Sequence, residues 1–449
     1  MIEPEALLPP LAEFLPRQRW YSGSEAPTDV RLVWSEVHED DWPGMVQLVV
    51  DADGATYQVV IGLRPLEHRP EFLAGRDDAV LADLDTEVGP AIAYEGTLDP
   101  QLGLAILGFV SEGEEVAERV RPAGVEQSNT SLIYDDRLIL KLFRRLHPGP
   151  NPEVEVTDAL ARVGFAHVAA PLAATTWEDT HLAVLQPYLV GGTEGWAMAL
   201  TSLRDLLGRH DTQPLPLINV DQPPHVPDPA EAGGDFSGEA ERLGVVTAEL
   251  HLALAEAFGQ GKPDVGAWAD IIEAQVVDVP ARDLNQAAAR RIVQNLRDVV
   301  DPGSAIRVHG DYHLAQVMRT DTGWFILDFE GEPERPLEER RRPSSPLRDI
   351  AGMLRSLHYA AMVALGDRDE LALARAWEDR NRQAFLHGYL AEAKKGTVLP
   401  ADQRSIDAIL RAFELEKSVY ELNYERAHRP DWVAIPRDAL RRITEGVPA

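Results

Sequence analysis

The stretch VHGDYHLAQVMRTDTGWFILDFEGEP, residues 308 to 333, places two carboxylates and one amide on what its pattern predicts to be a loop, a strand, a tight turn and a second strand. Asp311 and His313 follow the short predicted strand IRVHG, Gln316 begins the next stretch, and Asp328 ends the apolar strand WFIL. A side chain at the end of a strand stands on a fixed backbone, so its carboxylate is aimed at a low cost in entropy.

Two acids and an amide in this arrangement indicate phosphoryl transfer. Magnesium prefers oxygen ligands and is usually held by one or two carboxylates together with substrate phosphates, which Gln316 and Asp328 can supply. Asp311 then remains as the base for an acceptor hydroxyl. We expect its pKa to stay near the ordinary value, because the hydroxyl loses its proton late in the reaction.

A lysine for the phosphate oxygens is found in VRPAGVEQSNTSLIYDDRLILKLFRR, which starts at residue 120. The pattern predicts two strands joined at the turn Asp135-Asp136, and the two-residue period puts Lys141 on the same face as Ile139 and Phe143. A lysine on an apolar strand face favours a bound anion. The alternative is a lysine on an edge strand that keeps its charged end in water.

The order of predicted elements indicates a β-rich front half and a helical back half. VRLVWSEV, MVQLVV and TYQVVIGL predict a small N-terminal sheet with the turn DADG. AVLADL has helical spacing and LGLAILGFV is typical of a buried strand. NPEVEVTDALARVGF predicts a helix with Asn151 as N-cap and Pro152 at its first position, and THLAVLQPYLVGGTEGWAMAL predicts a strand, a glycine bend and a helix.

Residues 209 to 238 are rich in proline, glycine and aspartate, which predicts a long surface loop. After them come five helical segments: ERLGVVTAELHLALAEAF, AAARRIVQNLRDVV, SPLRDIAGMLRSLHYAAMVAL, ELALARAWEDRNRQAFLHGYL and SIDAILRAFELEKSVYELNYERA. The chain is therefore predicted to be an α+β protein, with subdomains at residues 1–90, 91–200 and 201–449.

Composition excludes several classes of function. With 43 basic and 74 acidic residues the net charge is −31, which repels nucleic acid and anionic membranes. The absence of cysteine excludes disulfides, thiolate nucleophiles and cysteine-ligated metal sites. MIEPEALLPPLAEFLPRQRW has acids and prolines where a secretory signal needs basic residues and an apolar run, and no later segment has 18 uninterrupted apolar residues. We expect a cytoplasmic protein.

HGDYHLAQ followed by LDFEGEP resembles the catalytic and metal-binding loops of the aminoglycoside-phosphotransferase-like kinases, relatives of the protein kinase fold, with Gln316 where many members have asparagine. LPRQRWYSG, NPEVEV, QPYLVGGTEGWAMAL, DFEGEPERPLEERRRPSSPLRDIAGMLRS and ELEKSVYELNYERAHRPDW together resemble the actinobacterial maltokinases, almost from end to end. The resemblance implies a two-lobed protein-kinase-like fold with an N-terminal β-rich cap and a mostly helical C-lobe. It also implies phosphorylation of maltose at the anomeric position by ATP.

The same resemblance implies the roles of individual residues. Asp311 is the catalytic base, Gln316 and Asp328 bind Mg²⁺, and Lys141 holds the nucleotide phosphates with Glu155 as its helix partner and Glu153 as the rival for that pairing. Gln186 to Tyr188 form the hinge that meets adenine. The turn that covers the phosphates, in place of a glycine-rich loop, is formed by Ser128, Asn129, Thr130 and Ser131.

A sugar site is predicted in EKSVYELNYE, where Lys417, Tyr420, Glu421 and Tyr424 share one helix face. A cation, two phenols and an acid are suited to recognising hydroxyl groups. His313 is assigned to the same substrate site. The alternative is a buried tyrosine stripe that packs on a neighbouring helix, with Lys417 and Glu421 as a surface pair.

Other functions stay open on the sequence. His309 and His313 with Asp311 have the composition of a zinc or iron site, although the alternative role of His309 is to pack beneath the catalytic loop. The acceptor could instead be glucosamine or an aminoglycoside, which acidic groups nearby would favour. A third alternative is a pseudokinase-like module that binds a glucan or a partner enzyme. Family analogy adds a place in α-glucan synthesis with trehalose synthase as partner, as a monomer or homodimer.

Overall fold

The computed structural model describes residues 3–23, 25–39, 41–86, 88–124, 129–212, 229–230, 235–332 and 335–445. Two compact units are present: Met1–Asp158 with Ala169–Val190, and Ala159–Val168 with Gly191–Ala449. The predicted subdomain boundaries at residues 90 and 200 stay predictions.

The first unit begins with a six-stranded antiparallel sheet, against which the short helix α1 (Leu8–Phe14) packs. Its strands are β1 (Val30–Glu39), β2 (Gly44–Ala52), β3 (Ala55–Pro65), β4 (Val80–Thr86) and β5 (Gly89–Glu95), in the order β1-β2-β3-β5-β4, and the short β9 (Arg145–Leu146) pairs with β3. Apolar side chains of α1, such as Leu11 and Phe14, are fully buried in the core of this sheet. The three predicted N-terminal strands are present.

Two sequence predictions in this unit are wrong: the segment predicted as a helix is a strand, and the segment predicted as a strand is a helix. Residues 80 to 84 of AVLADL belong to strand β4, which pairs with β5, and not to an α-helix. LGLAILGFV lies in helix α2 (Pro100–Val110), where the Asp99 carboxylate accepts the backbone N–H of Gln101 as N-cap and Pro100 takes the first position. The hydrophobicity of this segment fits a strand as well as a helix. The N-cap and the proline just before the apolar run favour the helix.

A second antiparallel sheet follows in the same unit, in the order β10-β11-β8-β7-β6. Its strands are β6 (Val120–Pro122), β7 (Asn129–Tyr134), β8 (Leu138–Phe143), β10 (Ala173–Trp177) and β11 (Thr180–Pro187). Helix α2 packs on it through a buried cluster that includes Leu107 and Leu140. Helix α3 (Pro152–Arg162) starts in this unit, with the predicted N-cap, since Asn151 Oδ1 accepts the N–H of Glu153 at 2.8 Å.

The second unit is mostly helical and contains a small sheet. The sheet consists of β12 (Thr193–Glu194), β13 (Val317–Thr320) and β14 (Gly323–Ile326). The helices are α4 (Gly195–Thr212), α5 (Ser237–Phe258), α6 (Val265–Val277), α7 (Gln286–Arg297), α8 (Leu337–Arg340), α9 (Leu347–Leu365), α10 (Leu371–Ala393), α11 (Gln403–His428) and α12 (Ala434–Thr444).

All five helical segments predicted in the back half are helices, and the sequence did not predict α6, α8 and α12. The predicted strand IRVHG forms only an isolated bridge between Ile306 and Ser344. Most of the predicted loop 209–238 lies outside the described residues, with α4 extending to Thr212 and α5 starting at Ser237. In the part of the chain that the structure describes, we find no helix that combines the length and the apolar character needed to cross a membrane.

Close packing of α5 on α10 depends on two glycines. A β-carbon on Gly244 would lie 2.1 Å from the carbonyl oxygen of Phe385, and one on Gly388 would lie 2.2 Å from that of Glu241. Since no side chain fits in that space, glycine lets the two helix backbones touch. The contact brings His251 of α5 next to Tyr389 of α10, where both support the functional loop described below.

Candidate active site

A buried carboxylate holds the backbone of the loop that carries Asp311 in the second unit. Asp349 on α9 accepts the N–H of His309 at 2.8 Å and the N–H of Gly310 at 2.9 Å, and it is 2% exposed. His251 lies 3.1 Å from the same carboxylate and is itself hydrogen-bonded to Tyr389. Burial alone would raise the pKa of Asp349, but its bonds to His251 and to the loop lower it. The carboxylate therefore stays ionised and fixes the loop.

His309 packs beneath this loop, as the sequence analysis proposed for it. Its Nε2 lies 2.9 Å from the carbonyl oxygen of Leu327, and its Nδ1 lies 3.4 Å from the backbone nitrogen of Asp311. The ring also packs at a tilt against Phe329 and Tyr312, with centroids 4.8 and 5.3 Å away. Because both ring nitrogens already have partners, the zinc or iron alternative loses one of its ligands.

Asp311 is partly buried between two basic side chains. Lys417 Nζ lies 3.4 Å from its Oδ1, and His313 Nε2 lies 3.7 Å from its Oδ2. Burial alone would raise the pKa of Asp311, but the nearby imidazole of His313 and the charge of Lys417 lower it well below the ordinary value. The expectation of an ordinary pKa is therefore wrong, because it did not include a lysine from a distant helix.

Gln316 and Asp328 lie side by side because the β13–β14 hairpin pairs their neighbours. Val317 is opposite Ile326, and the N–H of Leu327 donates to the carbonyl of Gln316 at 2.9 Å. The Gln316 amide then donates to Asp328 Oδ2 at 3.1 Å. Asp328 has a left-handed backbone, with φ of 58°, which turns its side chain away from the direction of the strand.

This donor set fits Mg²⁺. The two side chains provide carboxylate oxygens and one amide oxygen, the hard ligands that magnesium prefers, and the hairpin holds them together. Magnesium usually keeps several waters and phosphate oxygens as well, so two protein ligands are sufficient.

A network of charges surrounds Lys417. Its ammonium lies 2.5 Å from Glu332, and Glu332 also bonds Arg335. Arg335 and Arg348 in turn reach Glu416, at 3.6 and 3.0 Å. Burial would lower the pKa of Lys417, but Glu332 and Asp311 raise it, so the ammonium is firmly charged. Glu332, Glu416 and the two arginines were not assigned to the site from the sequence, although Glu332 lies in the motif DFEGEP.

The predicted sugar face is only partly assembled. Lys417 lies 5.2 Å from the ring of Tyr420, and the rings of Tyr420 and Tyr424 are nearly parallel with centroids 6.3 Å apart. Glu421 faces a different neighbour, because both of its bonds come from the buried guanidinium of Arg355, at 2.9 and 2.8 Å. Glu421 is therefore a structural partner of α9 in this structure, while the other three residues share one surface.

In the first unit, Lys141 forms an ion pair with Glu153, the rival for the pairing with Glu155 that the resemblance implies. Glu153 and Glu155 are two residues apart on α3 and therefore about 200° apart around the helix, so their side chains leave the helix in different directions. The ammonium also lies 5.9 Å from the ring of Phe143, which confirms that these two side chains share a face of β8.

The predicted phosphate-covering turn leads into β7. Ser128 lies outside the described residues, and Asn129, Thr130 and Ser131 form the first half of the strand. Ser131 pairs directly with Lys141 across the ladder. Thr130 Oγ1 accepts a hydrogen bond from Arg144 at 2.8 Å. The start of β7 therefore lies beside the lysine proposed for the phosphates.

The predicted hinge is the end of β11. The side chain of Gln186 donates to the carbonyl of Ala169 at 2.8 Å, so this amide ties the strand to the preceding segment. The N–H of Tyr188 donates to the carbonyl of Arg137 at 2.8 Å. Contact of this stretch with adenine stays a prediction.

Comparisons with known proteins find similar sequences over much of the chain. Residues 14–99 match the maltokinase N-terminal cap domain, and residues 222–331 match the phosphotransferase enzyme family. A glucosamine kinase of Mycolicibacterium smegmatis is 28% identical over 354 residues, 75% of this chain and 82% of the relative. A glucosamine kinase of Streptacidiphilus jiangxiensis is 29% identical over 333 residues, 70% of each chain.

Solved structures extend the likeness to the fold of nearly the whole chain. Glucosamine kinase in one crystal form superposes with a TM-score of 0.67 at 21% identity, over 96% of this chain and 99% of the other. Glucosamine kinase in complex with glucosamine, ADP and inorganic phosphate gives 0.64 at 22% identity, over 96% and 98%. The chain thus contains one segment that matches a maltokinase N-terminal cap and one that matches the phosphotransferase enzyme family, and its fold is that of the aminoglycoside-phosphotransferase-like kinases.

Proposed function

We propose that this protein is an ATP-dependent sugar kinase that phosphorylates maltose to maltose 1-phosphate. The observation that carries the proposal is the ion pair between Asp311 and Lys417. Asp311 lies in the segment, residues 222–331, that matches the phosphotransferase enzyme family. A low-pKa carboxylate held by a lysine is suited to orient a hydroxyl and to take its proton late in the transfer.

The reaction is a single in-line displacement. The anomeric hydroxyl oxygen of maltose attacks the γ-phosphorus of ATP, the new oxygen–phosphorus bond forms, and the bond to the β-phosphate oxygen breaks to release ADP. Asp311 accepts the hydroxyl proton and later releases it to water. Lys417 holds the carboxylate in place, since its ammonium also bonds Glu332, which Arg335 fixes from the other side.

The remaining residues are proposed to bind the nucleotide and the metal. Mg²⁺ held by Gln316 and Asp328 would neutralise phosphate charge, which is the chemistry that this cation supplies to kinases. Lys141, oriented by Glu153, would bind phosphate oxygens from the first unit. Asn129, Thr130 and Ser131 would place backbone and hydroxyl donors near them.

A neutral acceptor is favoured by the charges around Lys417. Glu332 and Glu416 are each paired with basic side chains, so neither offers a spare negative charge to an ammonium group. The cation of Lys417 beside Asp311 would also repel an amine. The neighbouring rings of Tyr420 and Tyr424 offer apolar surface to more than one sugar ring, which suits a disaccharide.

A second candidate is glucosamine, the substrate named for the similar kinases. One acid supports it: Glu194 lies near His313, partial burial raises its pKa, and no ion pair of its carboxylate is found among the described residues. Such a carboxylate would accept an amino group. An aminoglycoside acceptor rests on the same argument.

The test is ATP consumption with Mg²⁺ against maltose, glucose, trehalose, glucosamine and kanamycin, with the product identified by NMR. Turnover with maltose that gives maltose 1-phosphate supports the proposal, and turnover only with an amine moves the enzyme to the second candidate. No turnover with any acceptor favours a binding module. Association with trehalose synthase, a role in α-glucan synthesis, a cytoplasmic location and the oligomeric state stay predictions.

A further inference from the structure

A large cavity in the second unit lies outside the proposed active site. Its volume is about 1140 Å³, and its walls include the segment before α7, the end of α9 and one side of α12 along its length. None of the residues assigned above to the base, the metal or the acceptor belongs to the described residues that line it. Ligand sites for small molecules typically measure about 300 to 1,000 Å³, so this cavity has room for an extended ligand.

The charges of the walls nearly cancel. Three arginines and four aspartates line the cavity. Asp283 is buried and accepts from Arg437 at 2.7 Å, and Asp438 accepts from Arg375 at 2.9 Å and also pairs with Arg441. The arginines that could bind a phosphate group are already paired with aspartates. The small net charge of the walls would attract a polycation only weakly. The lining therefore favours a neutral ligand.

The walls also combine apolar surface with hydrogen-bonding groups. Trp432 offers an indole ring, and Met362, Val363 and Ile435 add aliphatic surface. Asn285 uses its carbonyl oxygen to cap α7, at 3.2 Å from the N–H of Ala288, which leaves its amide N–H groups as donors. Asp367 and Asp431 are exposed, and the structure records no ion pair for either of them within its described ranges.

Trp432 is held in place before any ligand binds. The guanidinium of Arg429 lies 4.6 Å from the centroid of its ring, and both bonds from Arg429 to the buried Glu425 are short, at 2.9 and 2.7 Å. Tyr359 packs near the same indole, with centroids 6.4 Å apart. A fixed aromatic ring loses little entropy on binding.

We propose that this cavity binds an oligosaccharide of neutral hexose units, at a site separate from the acceptor site. Sugar rings present C–H faces to an indole and hydroxyl groups to carboxylates and amides, which are the groups found here. Arg429 also lies 5.4 Å from the ring of Tyr424, so a continuous row of side chains joins this cavity to the proposed acceptor face. The choice of an α-linked glucose chain as probe rests on the proposed function.

The test measures binding of maltoheptaose to the full chain by calorimetry, with cellohexaose as a second probe. We expect binding of maltoheptaose to weaken at least tenfold in Trp432→Ala and severalfold in Asp431→Ala, whose exposed side chain carries little risk for folding. Trp42→Ala removes another partly exposed tryptophan, in the first unit, and serves as matched control. Thermal unfolding of each variant checks the fold.

Lys417→Ala separates the two sites. Binding of maltoheptaose that persists in this variant but is lost in Trp432→Ala supports the cavity. The proposal is overturned if neither oligosaccharide binds to the wild type, or if binding disappears in Lys417→Ala and survives in Trp432→Ala. Absence of maltose phosphorylation would instead count against the proposed kinase activity. The binding of maltoheptaose can still be measured and interpreted in that case.

Discussion

The ammonium of Lys417 on α11 lies 3.4 Å from Oδ1 of Asp311, the proposed catalytic base, which precedes it by more than 100 residues in the chain. The same ammonium bonds Glu332, so Lys417 connects the base to a fixed network of charges. Its positive charge is one cause of the lowered pKa of Asp311. The base is therefore ionised at neutral pH and points in a defined direction.

Replacing Lys417 with methionine should change the pH profile as well as the rate. Loss of the cation should raise the pKa of Asp311, so the acidic limb of kcat/KM moves to higher pH. Loss of a charge-assisted contact of about 1.5 to 3 kcal/mol should lower kcat/KM by roughly 10- to 100-fold. The measurement compares kcat/KM for maltose between pH 4 and 8 in the wild type and in Lys417→Met.

Two further variants make this prediction specific. Lys417→Arg keeps the positive charge and should restore the position of the acidic limb, though not the full rate. Lys395→Met removes an exposed lysine that pairs with Glu392 at the end of α10, and it should change neither quantity. An acidic limb that is the same in wild type and Lys417→Met would show that Lys417 does not act on Asp311.

Asp311→Asn should abolish transfer while leaving the fold intact. The variant keeps the size of the side chain but cannot accept the proton, so kcat should fall by roughly 10² to 10⁴. Asp321→Asn is the matched control, because Asp321 lies exposed in the turn of the same hairpin. Single-turnover kinetics and thermal unfolding measure the two effects separately. Near-normal turnover in Asp311→Asn would remove this residue from its role.

The parts of the fold that the sequence predicted well are those with local patterns. The antiparallel strands β1 to β3 and the long helices of the second unit repeat their apolar residues over many positions. LGLAILGFV and AVLADL failed because their composition fits both types of element, and the cap at Asp99 or the pairing with β5 decides between them.

In the candidate active site, too, the residues that are close in sequence could be predicted and the long-range contacts could not. Asp311, Gln316 and Asp328 are close in sequence, so their motif could be identified from the residues alone. The support of the loop by Asp349 and His251, and the ion pair of Lys141 with Glu153, depend on how distant elements pack. No spacing rule in one sequence reports such contacts.

Glu153→Gln should impair ATP binding more than Glu155→Gln. The Glu153 carboxylate orients Lys141, which is proposed to bind phosphate, so its loss should raise KM for ATP by roughly tenfold, consistent with a charge-assisted bond. Glu155→Gln is the matched control on the same helix, and its KM for ATP should change less than threefold. Initial rates at saturating maltose give both values. An equal or larger effect of Glu155→Gln would instead indicate Glu155 as the residue that orients Lys141.

Gln316→Ala should raise the Mg²⁺ concentration needed for half-maximal activity. The substitution removes the amide oxygen proposed as a ligand, and with it the bond that orients Asp328. Excess Mg²⁺ should restore most of the rate in Gln316→Ala but not in Asp328→Ala, which loses the charged ligand. Gln294→Ala, on the exposed face of α7, is the control. A Mg²⁺ titration that does not differ between Gln316→Ala and wild type would exclude Gln316 from the metal site.

Glu378 should make folding stability depend on pH in the acidic range. This buried carboxylate bonds His358 at 3.0 Å and pairs with Arg442 at 2.5 Å. Burial alone would raise its pKa, but His358, Arg382 and Arg442 lower it to about 2 from 4.5. Because the folded-state pKa is the lower one, the stabilisation is complete above pH 4.5 and is lost as the pH falls towards 2. Its size is about 3 kcal/mol.

Glu378→Gln should therefore lower the free energy of unfolding by about 3 kcal/mol at pH 7, and the difference from wild type should shrink between pH 4.5 and 2. Urea unfolding at a series of pH values measures this difference. Glu273→Gln, whose exposed carboxylate pairs with Arg297, is the control and should change stability by less than about 0.5 kcal/mol at every pH. A difference between Glu378→Gln and wild type that stays constant down to pH 3 would mean that Glu378 has an ordinary pKa in the folded protein.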